Sequence, residues 1–219
     1  MVNKKVSETN PKTQSSSGNR KFYEFGPDYT GGGKGHGLVF VNEEKLLTPP
    51  RRILKPVNGG FPVLIEKPHI TFDPKKGNPP CDLEASLSGY WFISERLKEI
   101  FEKVDPDGFA FAECNYTLPD GSIGPKHYLC DVIRTLDALD LKRSKVKIKI
   151  QRDCSRNEEN KIYSLSGGGS LVFKDVPEKI HVFLQDYLSA DPICDSCLYE
   201  ACRSLSDLTG LKFYDVANL

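Results

Sequence analysis

Apolar positions recur at helical spacing in two stretches of the chain. Leu97, Ile100, Phe101 and Val104 share one helical face. Ser94 stands where an N-cap belongs, Glu95 suits the first turn, and Pro106 and Gly108 lie where the helix must stop. The second stretch opens near Asp195, with Leu198, Ala201, Cys202 and Leu205 on one face and Gly210 as its expected stop. Elsewhere the period is two. Tyr90–Ile93, Phe109 with Phe111, His127–Thr135, Ser170–Phe173, Ile180–Leu184 and Leu211, Phe213 and Val216 read as strands. Val146, Ile148 and Ile150 alternate with Lys145, Lys147 and Lys149, which predicts a half-buried strand with its lysines in solvent. Leu118–Gly121 carries the Pro-Asp-Gly turn signal, Asp137–Leu141 is expected to turn, and Asn157–Lys161 reads as a polar turn.

Upstream the pattern is broken. Glycines at 31–33, 35, 37 and 59–60 and prolines at 49–50, 56, 62, 68 and 79–80 punctuate the segment before Tyr90. Short strands and ordered loops are expected there rather than helices, with Val63–Ile65 and His69–Phe72 as the strands. Residues 1–21 hold almost nothing apolar and read as a disordered polar tail. Residues 22–219 then form a single α+β domain, with 22–88 as a candidate β-rich N-terminal lobe. The sheet is expected to be mixed and mostly antiparallel, with two or three helices, because no βαβ rhythm or fixed-period repeat occurs.

Composition limits the partners. Thirty Lys+Arg balance thirty Asp+Glu, so the chain has no general attraction for nucleic acid or an anionic membrane, and neither is expected as a partner. No apolar stretch approaches the ~20 residues that span a bilayer, and residues 1–20 hold no signal-like core, so a cytoplasmic chain is expected. The seven cysteines are an odd number and read as free, mostly buried thiols.

The chemical motifs are incomplete. Cys194 and Cys197, followed by Cys202, offer one pair where a structural zinc site wants two, so no metal is expected. Lys34 follows a glycine run but precedes Gly35 rather than Ser or Thr, so the run reads as a loop and not a phosphate cradle. Gly167–Gly169 reads as a turn or bulge between strands. His36, His69, His127 and His181 are dispersed, and no Gly-x-Ser-x-Gly or His-Glu-x-x-His motif occurs. No catalytic residue and no cofactor is assigned.

Charge is more informative. From Glu95 to Asp140 ten carboxylates face five cations, and from Asp175 to Asp215 eight face three, a balance of −5 in each. Such segregation is commonly plain solvated surface. If the stretches converge, they form an acidic face for a basic partner. Glu113, Asp120, Asp186 and Asp191 are the partner-binding candidates on that expectation.

From Pro62 onward the chain resembles a bacterial polymorphic-toxin immunity family, numbered eleven and formerly a domain of unknown function. The carrying residues are Asp73–Lys75 with Pro80 and Asp82; Tyr90–Arg96; Asp105–Phe109; Tyr128–Arg134 with Leu139, Asp140 and Ser144; and Leu208–Phe213. The resemblance implies a protein that binds and neutralises a cognate toxin, with no family-wide catalytic residues. An inhibitor that works by non-covalent occlusion is the expectation, with a nuclease as a candidate toxin. A detoxifying enzyme and a general scaffold are the alternatives. Toxin identity and oligomeric state stay open at this level.

Overall fold

The computed structural model describes residues 20–30, 35–47, 51–153, 158–188 and 191–219. Fourteen strands and three α-helices are present among them, in mixed and mostly antiparallel sheets, as an α+β chain requires. Only β3 (His69–Phe72) with β7 (Asn115–Thr117), and β9 (Thr135–Leu136) with β12 (Val182–Gln185), pair in parallel among the named strands.

The run Tyr-Trp-Phe-Ile at 90–93 shows how the layers arise. It forms β5 (Tyr90–Ser94), between β4 (Leu83–Leu87) and β8 (His127–Val132), with β6 (Phe109–Glu113) beyond β8. A strand apolar at every position is covered on both faces. Ile93 and the half-buried Trp91 pack into one core with Phe25, Leu97, Phe101, Phe109 and Val132. Tyr90 and Phe92 point the other way, into a second core with Leu38, Leu54, Ile70 and Leu129. The four-stranded sheet is the wall between them.

A five-stranded sheet makes the second wall. Its order is β14 (Leu211–Asp215), β1 (Phe22–Pro27), β13 (Ile193–Asp195), β12 and β9. Val182 and Cys194 face the first core, while Phe183 and Ile193 face a third, with Leu139, Tyr163, Leu171 and Val216. Helices α2 (Glu95–Val104) and α3 (Ser196–Arg203) pack on each other and bury Leu97, Phe101, Leu198 and Cys202 in the first core. Ser94 caps α2 by accepting from the Leu97 N–H, as its sequence position predicts, and Asp195 caps α3 by accepting from the Leu198 N–H at 3.2 Å.

In the segment 22–88, β1 lies between β13 and β14 and β4 pairs with β5. Several expectations need correcting. Helix α1 (Glu43–Leu46) occurs in the region expected to lack helices. It is a single turn held by the burial of Leu46, while the Asn42 amide bonds Glu66 and the Lys67 carbonyl instead of capping it. Val63–Ile65 forms no strand, and Val63 is 92% exposed. His127–Thr135 is split, β8 ending at Val132 before β9. Asn157–Lys161 is largely strand, part of β11 (Glu158–Ser164), with residues 154–157 outside the described set. Ser170–Phe173 makes only isolated bridges.

Two further corrections concern the C-terminal half. Helix α3 ends at Arg203, seven residues before Gly210, so Gly210 is not its stop. β10 (Lys147–Asp153) is not half-buried: Ile148 is 54% and Ile150 59% exposed, because β10 and β11 form a two-stranded ribbon and, among the described residues, no layer packs over that end. The expected tail, 1–21, lies outside the described residues up to 19. Arg20 is tied into the fold by an ion pair with Asp195 at 2.8 Å and by the Val176 and Pro177 carbonyls.

Candidate functional site

The buried carboxylates come first, because they decide which acids are left for a partner. Asp82 sits just before β4 and takes the Arg96 guanidinium on both oxygens at 2.6 Å. It also accepts from the Ser94 hydroxyl and from the Thr209 backbone N–H and hydroxyl. Arg96 reaches on to Asp207 at 2.6 Å, so one guanidinium joins the start of β4, the start of α2 and the loop before β14. Burial opposes ionisation of Asp82, but the donors around it outweigh that and hold its carboxyl below the ordinary range.

Asp105 repeats the device at the C-terminus of α2. Arg134 binds its two oxygens at 2.5 and 2.9 Å, and the N–H groups of His181 and Val182 add 2.8 and 3.1 Å. This joins α2 to the segment after β8 and to β12, across the first core. Asp195 takes Arg20 and His181 Nδ1, both at 2.9 Å, besides capping α3. Asp131 takes Lys55 at 2.5 Å and the Gly60 N–H at 2.7 Å. No buried side-chain nitrogen or oxygen lacks a partner among the described residues.

These pairs reduce the acidic excess read from the sequence. Lys55, Lys67 and Arg20 lie outside both acidic stretches, yet they neutralise Asp131, Glu113 and Asp195 within them. The four candidate carboxylates stand on separate elements. Glu113 ends β6 in an ion pair with Lys67 at 2.9 Å, and Asp120 holds the Ser122 hydroxyl and N–H in the turn after β7. Asp186 and Asp191 instead flank the connection from β12 to β13 in the other sheet. The two acidic stretches meet where α2 packs on α3, and there Glu99, Glu102 and Glu200 are exposed.

Asp191 has a setting unlike the other three. It lies on the rim of a cleft of about 210 Å³ with Lys55, Trp91, Asp131, Leu184 and Pro192. Its N–H donates to Glu24 Oε1 at 3.2 Å, and its carboxyl lies against Gly26. The residue as a whole is exposed, yet burial of its carboxyl raises its pKa. Burial likewise raises that of Glu24. Sequence reasoning missed Lys55 and Trp91 as cleft residues. One stands in a proline-interrupted loop and the other in a run that reads as core, and no local signal joins them.

The cysteines are placed much as their patterns suggest. Cys194 is buried in β13, Cys202 on the inner face of α3 and Cys197 exposed in its first turn. Burial pushes the Cys202 thiol up to about 12 and Cys194 well above its ordinary value. Among the described residues no three His, Cys, Asp or Glu side chains converge as a metal site. Cys154 and Gly31–Lys34 lie outside the described residues. No helix among the described residues is long and apolar enough to cross a membrane.

The paired residues Asp82, Arg96, Asp105, Asp131, Arg134 and Thr209 fall inside the segments that carry the family resemblance. Comparison with family models matches residues 21–218, nearly the whole chain, to the immunity protein family Imm11. The chain belongs to that family. A search of curated proteins finds no match. For an Imm11 protein a toxin-neutralising immunity role follows, with a toxin as its partner. The segments that carry the resemblance thus supply clamps between sheets and helices in this Imm11 chain.

Proposed function

We propose that this protein neutralises its toxin by stoichiometric, non-covalent occlusion in the cytoplasm, without catalysis. Family membership over residues 21–218 carries the reading. The chemistry of the buried groups supports it: Asp82, Asp105, Asp131 and Asp195 each spend their oxygens on fixed cations and N–H groups. Carboxylates so engaged build a rigid surface and are not poised for proton transfer. Titration of toxin activity with the protein should reach its end point near equal molarity. Full protection at strongly substoichiometric amounts would mean turnover and overturn the proposal.

The toxin surface is proposed to be basic, as a nuclease groove for the phosphate backbone is. Glu113, Asp120, Asp186 and Asp191 are proposed to steer it, together with the exposed acids of α2 and α3. Rim charges act chiefly on the association rate and are screened by salt, with a Debye length of ~8 Å at physiological ionic strength. Reversing the four carboxylates together should slow association about tenfold or more at low salt and flatten its salt dependence. Stopped-flow rates unchanged by the reversal would remove the carboxylates from the docking surface.

A further inference from the structure

Among the described residues strand β10 has a neighbour on one side only, β11, and the direction of its remaining backbone groups follows from a single hydrogen bond. The N–H of Tyr163, in β11, donates to the carbonyl of Tyr187 at 2.6 Å, away from β10. In an antiparallel ladder, residues directly opposite exchange both bonds or neither. Tyr163 stands opposite Ile148, so the two form a non-hydrogen-bonded pair. The N–H and C=O of Ile148 therefore point to the far edge, and those of Ile150 follow by the two-residue alternation. Lys147 and Lys149 turn their backbone groups inward, to Ser164 and Ile162. Among the described residues, no backbone bond reaches the outer edge at Ile148 or Ile150.

The side chains make this edge selective. Ile148 and Ile150 project on one face, 54% and 59% exposed, and Lys145, Lys147 and Lys149 are exposed on the other. An antiparallel strand added here would meet Ile148 and Ile150 as hydrogen-bonded pairs. It would meet Lys147 and Lys149 as non-hydrogen-bonded pairs, where opposing Cα atoms approach to about 4.5 Å and side chains lie closest. Opposite charges stabilise such cross-strand pairs and like charges destabilise them. Pairing of two copies about Ile148 sets Lys147 against Lys149, which disfavours that dimer register.

We propose that the free edge of β10 captures an extended segment of a partner polypeptide in which acidic residues alternate with apolar ones, adding a third strand to the ribbon. The proposal rests on the reading that this protein acts by holding its toxin. It adds a contact of opposite charge to the one proposed for the carboxylates, so the two surfaces would take different parts of the toxin. Backbone bonds would supply affinity there, and the lysine and isoleucine rows specificity.

Fluorescence anisotropy with the full chain and two labelled octapeptides, one alternating Glu with Val and one alternating Lys with Val, tests it. The acidic peptide should bind about tenfold or more tightly than the basic one at low salt. Its binding should slow exchange of the Ile148 and Ile150 amides. Ile148→Pro removes an N–H that points outward, so it should abolish acidic-peptide binding with the far-ultraviolet circular dichroism unchanged. Lys147→Glu with Lys149→Glu should invert the preference between the peptides. Equal binding of both peptides, binding of neither, or protection confined elsewhere would overturn the proposal. So would a dimer that Ile148→Pro dissociates, since the occupant would then be a second copy. If Ile148→Pro loses the peptide yet titrates the toxin as the unaltered chain does, the edge is not the toxin contact and the proposal fails, while occlusion stands. An unaltered chain without an equimolar end point would instead overturn occlusion, whatever the peptides do.

Discussion

Replacing Asp105 with alanine is expected to cost about 3–5 kcal/mol of folding free energy, the range for breaking one side of a buried ion pair. Asp105 is 2% exposed, and its oxygens hold four donors. The substitution strands the Arg134 guanidinium, itself largely buried, and leaves the N–H groups of His181 and Val182 without their acceptor. At roughly 2–4 °C per kcal/mol for a chain of this size, the melting temperature should fall by roughly 6–20 °C. Adding Arg134→Met removes the stranded charge and should recover part of the loss, measurable as a double-mutant cycle. The same carboxyl gives a pH signature. Arg134 and the backbone N–H groups hold its pKa below the ordinary value against the opposing effect of burial. The unfolded chain therefore takes up this proton first, and the contribution of Asp105 is complete above ~4 and lost as pH falls toward the folded value. Asp105→Asn should lose that part of the acid limb while changing little of the shape. A chemical denaturation at neutral pH that costs Asp105→Ala under ~1 kcal/mol would show that the clamp is not structural.

Gly210→Ala is the second large effect. Gly210 has φ +79, and a Cβ there would lie 2.3 Å from the Leu83 carbonyl oxygen and 2.6 Å from Cys81 Cβ. The left-handed conformation alone costs a non-glycine residue roughly 1–2 kcal/mol. The contact is with backbone, so relief requires the chain at 209–211 to withdraw from Leu83. That withdrawal loosens the Leu83 N–H bond to the Thr209 carbonyl at 3.3 Å and the donors that Thr209 gives Asp82. A total loss of about 3 kcal/mol or more is expected. Gly121 supplies the control, with φ +82 and nothing within 4 Å of the position its Cβ would take. Gly121→Ala should lose only the conformational part, and the difference between the two variants measures the close approach. Equal losses would mean that the Leu83 contact relaxes without cost.

The residues that carry the Imm11 resemblance are spent on clamps: Asp82 with Arg96 and Thr209, Asp105 with Arg134, Asp131 with Lys55. Exposed carboxylates such as Glu99, Glu102 and Glu200, and the edge of β10, lie outside those clamps. The neutral total charge hides this division, because cations from the N-terminal third, Arg20, Lys55 and Lys67, are used to neutralise acids far along the chain.

Local order was legible in the sequence wherever a short stretch carries both its periodicity and its boundary. Helix α2, its Ser94 cap, strand β5 and the Leu118–Gly121 turn follow from residues within a few positions of one another. The α+β class follows from the same local patterns. The misplacements share another cause. Ile148 and Ile150 alternate as a buried strand does, but only the tertiary structure decides whether a layer exists to cover them, and among the described residues none covers β10. Gly210 has the composition of a helix stop, whereas its conformation answers to Leu83, far away in sequence. Local charge counts name Glu113 and Asp191 as candidates without misplacing them, but they cannot register that Glu113 is met by Lys67 or that Asp191 sits at a cleft with Trp91 and Lys55. Periodicity and caps act over a turn or a strand, but ion pairs, layers and open edges form between segments that only folding brings together.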